Sequence, residues 1–526
     1  MRKSVGEILI DLLEAYEVDT VFGIPGVHTV ELYRGLANSK IRHITPRHEL
    51  SAGFMADGYA RVSGKPGVCF LITGPGLTNA ITAMAQARAD SIPMLVISGV
   101  NPLSTVGQEI GHLHELPDQS AMMATIALST QTLQRGENLE AVLAESFANM
   151  TAARPGPVHI EIPLDLMQEV IAVPEKKPRN ETSPMVAEAS ALLEAAKRCN
   201  AAKNPVVIVG GGATAANIQR FAEQLDAPVV STVNARGLMT DHALDVPASP
   251  SLQPVRDLLA KADLVIAIGT QFGPTDFDMY MDGGFPPITQ LIRIDIDEAQ
   301  VNKGPKADQT IVADAATVID ALLPLLDTRT SESNGINTAT QTKRLAYQAL
   351  PSAYCDYIDI LDTISATLPN VIMVGDSTQL VYAGNLYCEV GRNRGWFNSA
   401  TGYGALGYAA PAAIGAQLAD IDAPVVCITG DGGFQFCLAE LGTAMDEKTP
   451  VIFIVWNNQG YEEIETYMKD SNVIPIGVTP SAPNFVELAS SYGMSAEKIS
   501  NPSELAQVLT QAAALKIPYL IEIQVS

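Results

Sequence analysis

The sequence predicts three successive α/β domains, each built on a parallel sheet. Three observations lead there. Short continuous apolar runs recur along the chain, as at Val68-Cys69-Phe70-Leu71-Ile72, Pro205-Val206-Val207-Ile208-Val209 and Val451-Ile452-Phe453-Ile454-Val455. Uninterrupted runs, unlike alternating ones, mark strands buried on both faces, the environment of a parallel sheet. Longer helical patterns separate them, and strand–helix alternation points to α/β architecture. The length of 526 residues exceeds what one core organises.

Two polar stretches divide the chain. Residues 174–184 (PEKKPRNETSP) and 327–344 (DTRTSESNGINTATQTKR) are short of apolar residues and read as linkers. The expected domains are therefore residues 1–173, 185–326 and 345–526. The first contains the strand runs Val68-Cys69-Phe70-Leu71-Ile72 and Met94-Leu95-Val96-Ile97. The second has Pro205-Val206-Val207-Ile208-Val209 and Leu264-Val265-Ile266-Ala267-Ile268. The third has Pro424-Val425-Val426-Cys427-Ile428 and Val451-Ile452-Phe453-Ile454-Val455. No short-period repeat is present.

Composition narrows the function. Hydrophobic residues make up 47%, enough to offset ordering entropy and exclude a mainly disordered chain. Lys and Arg number 33 against 58 Asp and Glu, a formal net charge of -25. That field repels nucleic acid and anionic membranes, so neither is an expected partner. The six cysteines show no paired spacing, so no disulfide framework or zinc site is expected. The N-terminus lacks a signal-peptide apolar region, and no apolar run reaches the ~18 residues of a membrane span. A cytoplasmic location is expected.

The most specific motif lies in the third segment. Gly430-Asp431-Gly432-Gly433 follows one apolar run, and Asn457-Asn458 follows the next. On adjacent parallel strands, Asp431 and Asn458 would share the carboxyl edge, where open α/β sheets bind ligands. A carboxylate and an amide carbonyl are hard oxygen ligands suited to Mg²⁺ with diphosphate oxygens and water. The glycines let backbone N–H groups approach a phosphate.

With these residues the chain resembles the thiamine diphosphate-dependent family of 2-oxo acid decarboxylases and acetolactate synthases. Further matching stretches are Phe22-Gly23-Ile24-Pro25-Gly26, Arg47-His48-Glu49, Gly74-Pro75-Gly76 with Asn79, and Gly404-Ala405-Leu406-Gly407. The resemblance implies a pyrimidine-binding, central and diphosphate-binding domain in that order. It implies Mg²⁺ on Asp431, Asn458 and the Gly460 carbonyl, and diphosphate against Ser377, Thr378, Gln379, Gly432 and Gly433. The remaining cofactor positions are Pro25, Gly26, Asn79, Gly404, Leu406 and Tyr461. Leu406 takes the place of the apolar residue that bends the cofactor, and Gly404 offers its backbone to the 4′-amino group. Glu49 stands where the family bonds N1′ of the pyrimidine, making it the acid/base residue on which catalysis depends.

Departures from acetolactate synthase define the branch. His114 and Glu115 replace an aromatic and an amide, His28 replaces a small residue, and Tyr467 stands where the synthase has tryptophan. Carboxylates Glu115, Glu462 and Glu463, with Ile464 beside them, are the expected substrate contacts. His28 and His114, with His112 as an alternative, are candidate proton donors. A carboxylate grips a guanidinium with two hydrogen bonds. The stretches around 22–33, 47–61 and 111–119 are most similar to the branch that decarboxylates 5-guanidino-2-oxopentanoate (2-ketoarginine). Acetolactate synthase-type carboligation of pyruvate is the alternative. The resemblance further implies a homodimer or homotetramer with its active site between subunits. Gly210-Gly211-Gly212 resembles the central domain in which some relatives place FAD. Gln271-Phe272-Gly273-Pro274 departs from the arginine-bearing FAD pattern, so FAD is not expected and that domain is read as structural.

Overall fold

A computed structural model describes residues 2–174, 183–278, 283–327, 329 and 334–525. The continuous apolar runs form three parallel six-stranded sheets. The N-terminal sheet runs Arg42–Ile44, Thr20–Gly23, Gly67–Leu71, Met94–Val100, Pro157–Pro163, Thr130–Thr132 from edge to edge. Numbered by chain order, that is 2-1-3-4-6-5. The C-terminal sheet has the same order, 2-1-3-4-6-5, in strands Ile372–Gly375 to Tyr519–Gln524. The central sheet, Pro205–Val209 to Gln309–Val312, is wound 3-2-1-4-5-6. A short antiparallel pair, Arg2–Ser4 with Val170–Ala172, ties the start of the N-terminal unit to its end.

The order 2-1-3 reverses the direction of winding between strands 1 and 3. Loops leaving those strands diverge and open a crevice at the carboxyl edge. Pro25 and Gly26 follow strand 1 of the N-terminal sheet, and Gly74 follows strand 3. In the C-terminal sheet the crevice lies between Asp376 and Asp431. Strand Val425–Gly430 pairs in parallel with Ile452–Asn457, placing Gly430 opposite Trp456. Asp431 and Asn458 therefore leave the sheet at one edge, as their spacing predicts.

The N- and C-terminal units share one apolar cluster, in which Phe54 and Met55 meet Ala412, Ala413 and Phe453. Its centre is the crossing of helices Glu49–Ser63 and Ala409–Ala419. A Cβ on Gly58 would lie 2.0 Å from the Ala412 carbonyl oxygen, and one on Gly415 1.9 Å from that of Met55. The helices thus touch backbone to backbone, which requires glycine on both sides.

The segment expected as a second linker differs. Residues 334–344 belong to helix Asn334–Gln348. Its buried positions are Gly335, Ala339, Thr342 and Ala346, a helical spacing carried by small residues. A Cβ on Gly335 would lie 2.1 Å from the Asp226 carbonyl oxygen. The face packs closely on the central domain without the large apolar residues that reveal a helix in sequence. The first expected linker falls largely outside the described residues.

Gly58→Ala is expected to lower stability by about 2 kcal/mol, within the usual range for overpacking. Gly273→Ala, where a Cβ meets nothing within 4 Å, should change it by less than ~0.5 kcal/mol. Thermal unfolding of the two variants checks the contrast.

Candidate active site

At the C-terminal crevice, Asp431 opens the turn Asp431–Phe434 with its side chain 1% exposed. Both carboxylate oxygens are buried, with no hydrogen-bond partner among the described residues. Burial raises its pKa above the usual carboxylate value, while nearby N–H groups of Asn458, Gly432 and Gly460 oppose the shift. An unsatisfied buried carboxylate is costly and calls for a cation. Asn458 turns its amide nitrogen to Glu462 at 2.8 Å, which leaves its oxygen Oδ1 available to a cation. Gly460 packs against the Val478 carbonyl, and Tyr461 lays its ring over Gly432. The donor set of carboxylate, amide and backbone oxygens fits Mg²⁺.

Across the crevice, Thr378 precedes helix Gln379–Leu386 without capping it by its side chain. Val381 and Tyr382 N–H donate to the Thr378 carbonyl, so the Gln379 and Leu380 N–H groups are those left for an anion. Ser377 donates its N–H to Asp376, and Gly407 donates to the other oxygen, each at 2.8 Å. Asp376 thus ties the 376–379 turn to the Gly404–Gly407 turn. Burial pushes its carboxyl up to about 6. The motif reading missed this residue, although it directly follows a strand at the same edge. Gly404 adopts φ +74 with open space where a Cβ would lie. Leu406 is half-buried, unlike the core leucines around it.

At the N-terminal crevice, Glu49 begins helix Glu49–Ser63. Asn79, one turn into helix Pro75–Asp90, donates to Glu49 Oε2 at 2.9 Å. Asn79, expected on the cofactor, thus holds Glu49. A Cβ on Gly76 would meet Ile72 at 2.6 Å and stand 3.6 Å from Glu49 Oε1. Pro25 is exposed, and Gly26 lies against Ile72. His28 and His114 stand edge to face with ring centroids 5.0 Å apart. The Nδ1 atoms of both are buried and have no hydrogen-bond partner among the described residues. Burial first, then His114, lowers the His28 pKa and favours neutral imidazole. Gln119, also missed by sequence, accepts from Gly74 N–H at 3.0 Å and donates to Glu161 at 2.9 Å. It joins the His114 loop to the turn that starts the Asn79 helix.

The three acidic substrate candidates separate. Glu115 accepts backbone N–H bonds from Gly111, His112 and Ile110 at 2.7, 2.9 and 3.3 Å. Desolvation raises its pKa, but these three bonds together, with the His112 charge, hold it below the usual value. Its carboxylate, expected as a substrate contact, closes its own loop. Glu462 accepts from Asn458 and from Gln379, 3.1 Å away, so it orients Asn458. Glu463 follows it at the start of helix Glu462–Asp470. Desolvation raises its pKa, a Gln379 hydrogen bond opposes this, and the Glu462 charge adds to it. Ile464 is 53% exposed.

No hydrogen bond, ion pair or ring contact among the described residues joins Glu49, His28 and His114 to Asp431 and Asn458. Both groups are bordered by exposed apolar side chains: Val27, Ile110 and Leu113 by the first, Tyr467, Ile474 and Ile476 by the second. A cavity of about 1380 Å³ lies elsewhere, between the glycine-rich edge of the central sheet and residues such as Arg61 and Phe397. Gln271 donates across it to the Ala89 carbonyl.

Comparison with known proteins agrees with this layout. Residues 3–122 match the N-terminal TPP binding domain of thiamine pyrophosphate enzymes, 192–322 the central domain, and 376–523 the C-terminal TPP binding domain. The chain belongs to the thiamine pyrophosphate enzyme family. The cofactor is thiamine diphosphate, the same molecule under its other name. A probable 2-ketoarginine decarboxylase, AruI, of Pseudomonas aeruginosa is 41% identical over 99% of this chain and 94% of its own length. A probable acetolactate synthase large subunit of Methanococcus aeolicus is 30% identical over 98% of the chain and 91% of its own length. The acetolactate synthase isozyme 1 large subunit of Escherichia coli is 30% identical over 100% and 94%. No helix among the described residues is long and apolar enough to cross a membrane.

The unpaired Asp431 carboxylate sets a stability test. Mg²⁺ with thiamine diphosphate at a hundredfold excess over Kd is expected to add about 2.7 kcal/mol, read as a higher Tm than in EDTA. Asp431→Asn should lose that increment without lowering the Tm in EDTA, because it removes a buried charge that has no protein partner.

Proposed function

We propose that this enzyme catalyses the thiamine diphosphate- and Mg²⁺-dependent, non-oxidative decarboxylation of 5-guanidino-2-oxopentanoate to an aldehyde and CO₂. The observation that carries the reading is the Glu463 carboxylate, which touches Gln379 but has no cationic partner among the described residues, at the edge that also bears Asp431 and Asn458. A carboxylate there suits a cationic substrate end and is poorly matched to pyruvate. The 41% identity to a probable 2-ketoarginine decarboxylase points the same way.

When bound, the cofactor supplies the electron sink for loss of CO₂. This chain's residues do the rest. Asp431, Asn458 and the Gly460 carbonyl hold Mg²⁺, and Ser377, Thr378, Gln379, Gly432 and Gly433 hold the diphosphate. Tyr461 backs Gly432, and Leu406 and the Gly404 backbone support the thiazolium and pyrimidine. Pro25 and Gly26 shape the pyrimidine side. Glu49, aligned by Asn79, exchanges a proton with N1′. The His28–His114 pair, with unpartnered Nδ1 atoms, delivers the proton that completes the aldehyde. Glu463 grips the guanidinium with two charge-assisted hydrogen bonds, and Ile464 packs on the alkyl chain.

Glu49 and Asp431 act on one cofactor from opposite subunits of a homodimer, which covers the exposed apolar rims of both crevices. Either Glu49→Gln or Asp431→Ala alone is expected to abolish turnover. Co-expressed chains carrying one change each should recover roughly a quarter of wild-type activity, since half of random dimers hold one intact site. No recovery, with dimers present, would place both residues in a site within one chain.

Substrate charge provides the second test. A hydrogen bond to a charged group contributes ~1.5–3 kcal/mol, so Glu463→Gln should lower kcat/KM for 2-ketoarginine about ten- to a hundredfold. An uncharged 2-oxo acid of similar length should be turned over nearly as before. Equal losses on both substrates would remove Glu463 from recognition. Faster conversion of pyruvate than of 2-ketoarginine by the unmutated enzyme, with acetolactate as product, would favour the carboligase reading.

A further inference from the structure

Arg236 of the central domain is 2% exposed, yet no carboxylate among the described residues pairs with it. Its guanidinium donates only to carbonyls: Gly384 at 2.9 Å, Asn385 at 2.9 Å and Cys388 at 3.3 Å. Gly384 and Asn385 form the last turn of helix Gln379–Leu386. The remaining carbonyl of that turn, on Leu386, accepts the Ser249 N–H, again from the central domain, at 2.7 Å. Beyond it, Cys388 N–H donates to Pro247, and Thr240 donates to the Val390 carbonyl.

A helix end leaves its final carbonyls unsatisfied, and its dipole favours a cation there. Here one buried guanidinium from another domain meets both needs, which explains a charge that lacks an acidic partner. The opposite end of the same eight-residue helix carries Thr378 and Gln379. We propose that Arg236 is a positioning residue for the cofactor diphosphate: through it the central domain caps, and so fixes in place, the helix whose first turn binds that group. The inference rests on the placement of the diphosphate given above, and it gives the central domain a part in cofactor binding.

The two tryptophans report on this helix. Trp456 donates to Gln379 at its start and Trp396 to the Asn385 side chain in its last turn. Protein stripped with EDTA would be titrated with thiamine diphosphate in Mg²⁺, following tryptophan fluorescence, for wild type, Arg236→Lys, Arg236→Met and Asp431→Asn. Arg236→Met is expected to raise the cofactor Kd at least about tenfold and Arg236→Lys by less, with kcat at saturating cofactor nearly unchanged. If Arg236→Met does not fold, the lysine variant decides. A lowered Tm with wild-type cofactor affinity would make Arg236 an ordinary core residue and overturn the inference. If Asp431→Asn loses affinity while the Arg236 variants keep it, this inference alone fails. If Asp431→Asn also binds normally, the cofactor placement itself is wrong.

Discussion

The buried ion cluster at Arg61 is the constraint from which the active-site geometry follows. Arg61 pairs with Asp57 at 2.6 Å and Asp90 at 2.7 Å, with side-chain exposures of 6%, 0% and 2%. Tyr408 of the C-terminal unit bonds Asp57, and Asn234 of the central unit bonds both Asp90 and Arg61. All three domains therefore meet on one guanidinium. Removing one member of such a cluster strands a buried charge, at a cost of about 3–5 kcal/mol. The helices carrying Glu49 and Asn79 both end at this cluster. Glu49 lies twelve residues from Arg61, about 18 Å at 1.5 Å per residue, and the Glu49–Asn79 hydrogen bond closes the far end. The Glu49 carboxylate is held by two rods fixed together at both ends.

The outer domains repeat one topology, and each puts its chemistry at the crevice where winding reverses. One crevice holds Glu49, His28 and His114, to which we assign the proton transfers. The other holds Asp431, Asn458 and the 376–379 turn, to which we assign the metal and the diphosphate. The glycine-to-carbonyl contacts at Gly58 and Gly415 press the two units together along one face, leaving the crevice edges for other surfaces. Exposed apolar residues around both edges show where apolar area remains to be covered.

Carboxylates of one chemical type have four different fates here. Asp376 is sealed in and cross-links two turns. Asp431 is sealed in without partners. Glu115 caps its own loop, and Glu462 orients Asn458. Only surroundings separate them: N–H groups at 2.7–2.9 Å make Asp376 and Glu115 structural acceptors, whereas those near Asp431 make no hydrogen bond of that quality to it.

The sequence by itself determined the parallel-sheet architecture, since two-sided burial requires continuous apolar strands. It also placed Asp431 and Asn458 at one edge, because both follow such strands directly. Glu49 and the glycine-rich turns were legible through their motifs. The helix at 334–344 was not, because its buried face is made of Gly, Ala and Thr, chosen for closeness and not for apolar area. Nor were the distinct uses of Glu115 and Glu462, the tie made by Asp376, or the Arg236 cap. Arg236 reaches carbonyls 148 to 152 positions away, so nothing local in the chain records its partners. Strand burial repeats along the chain and can be read there; the satisfaction of a buried charge depends on distant atoms and is decided only when the domains pack.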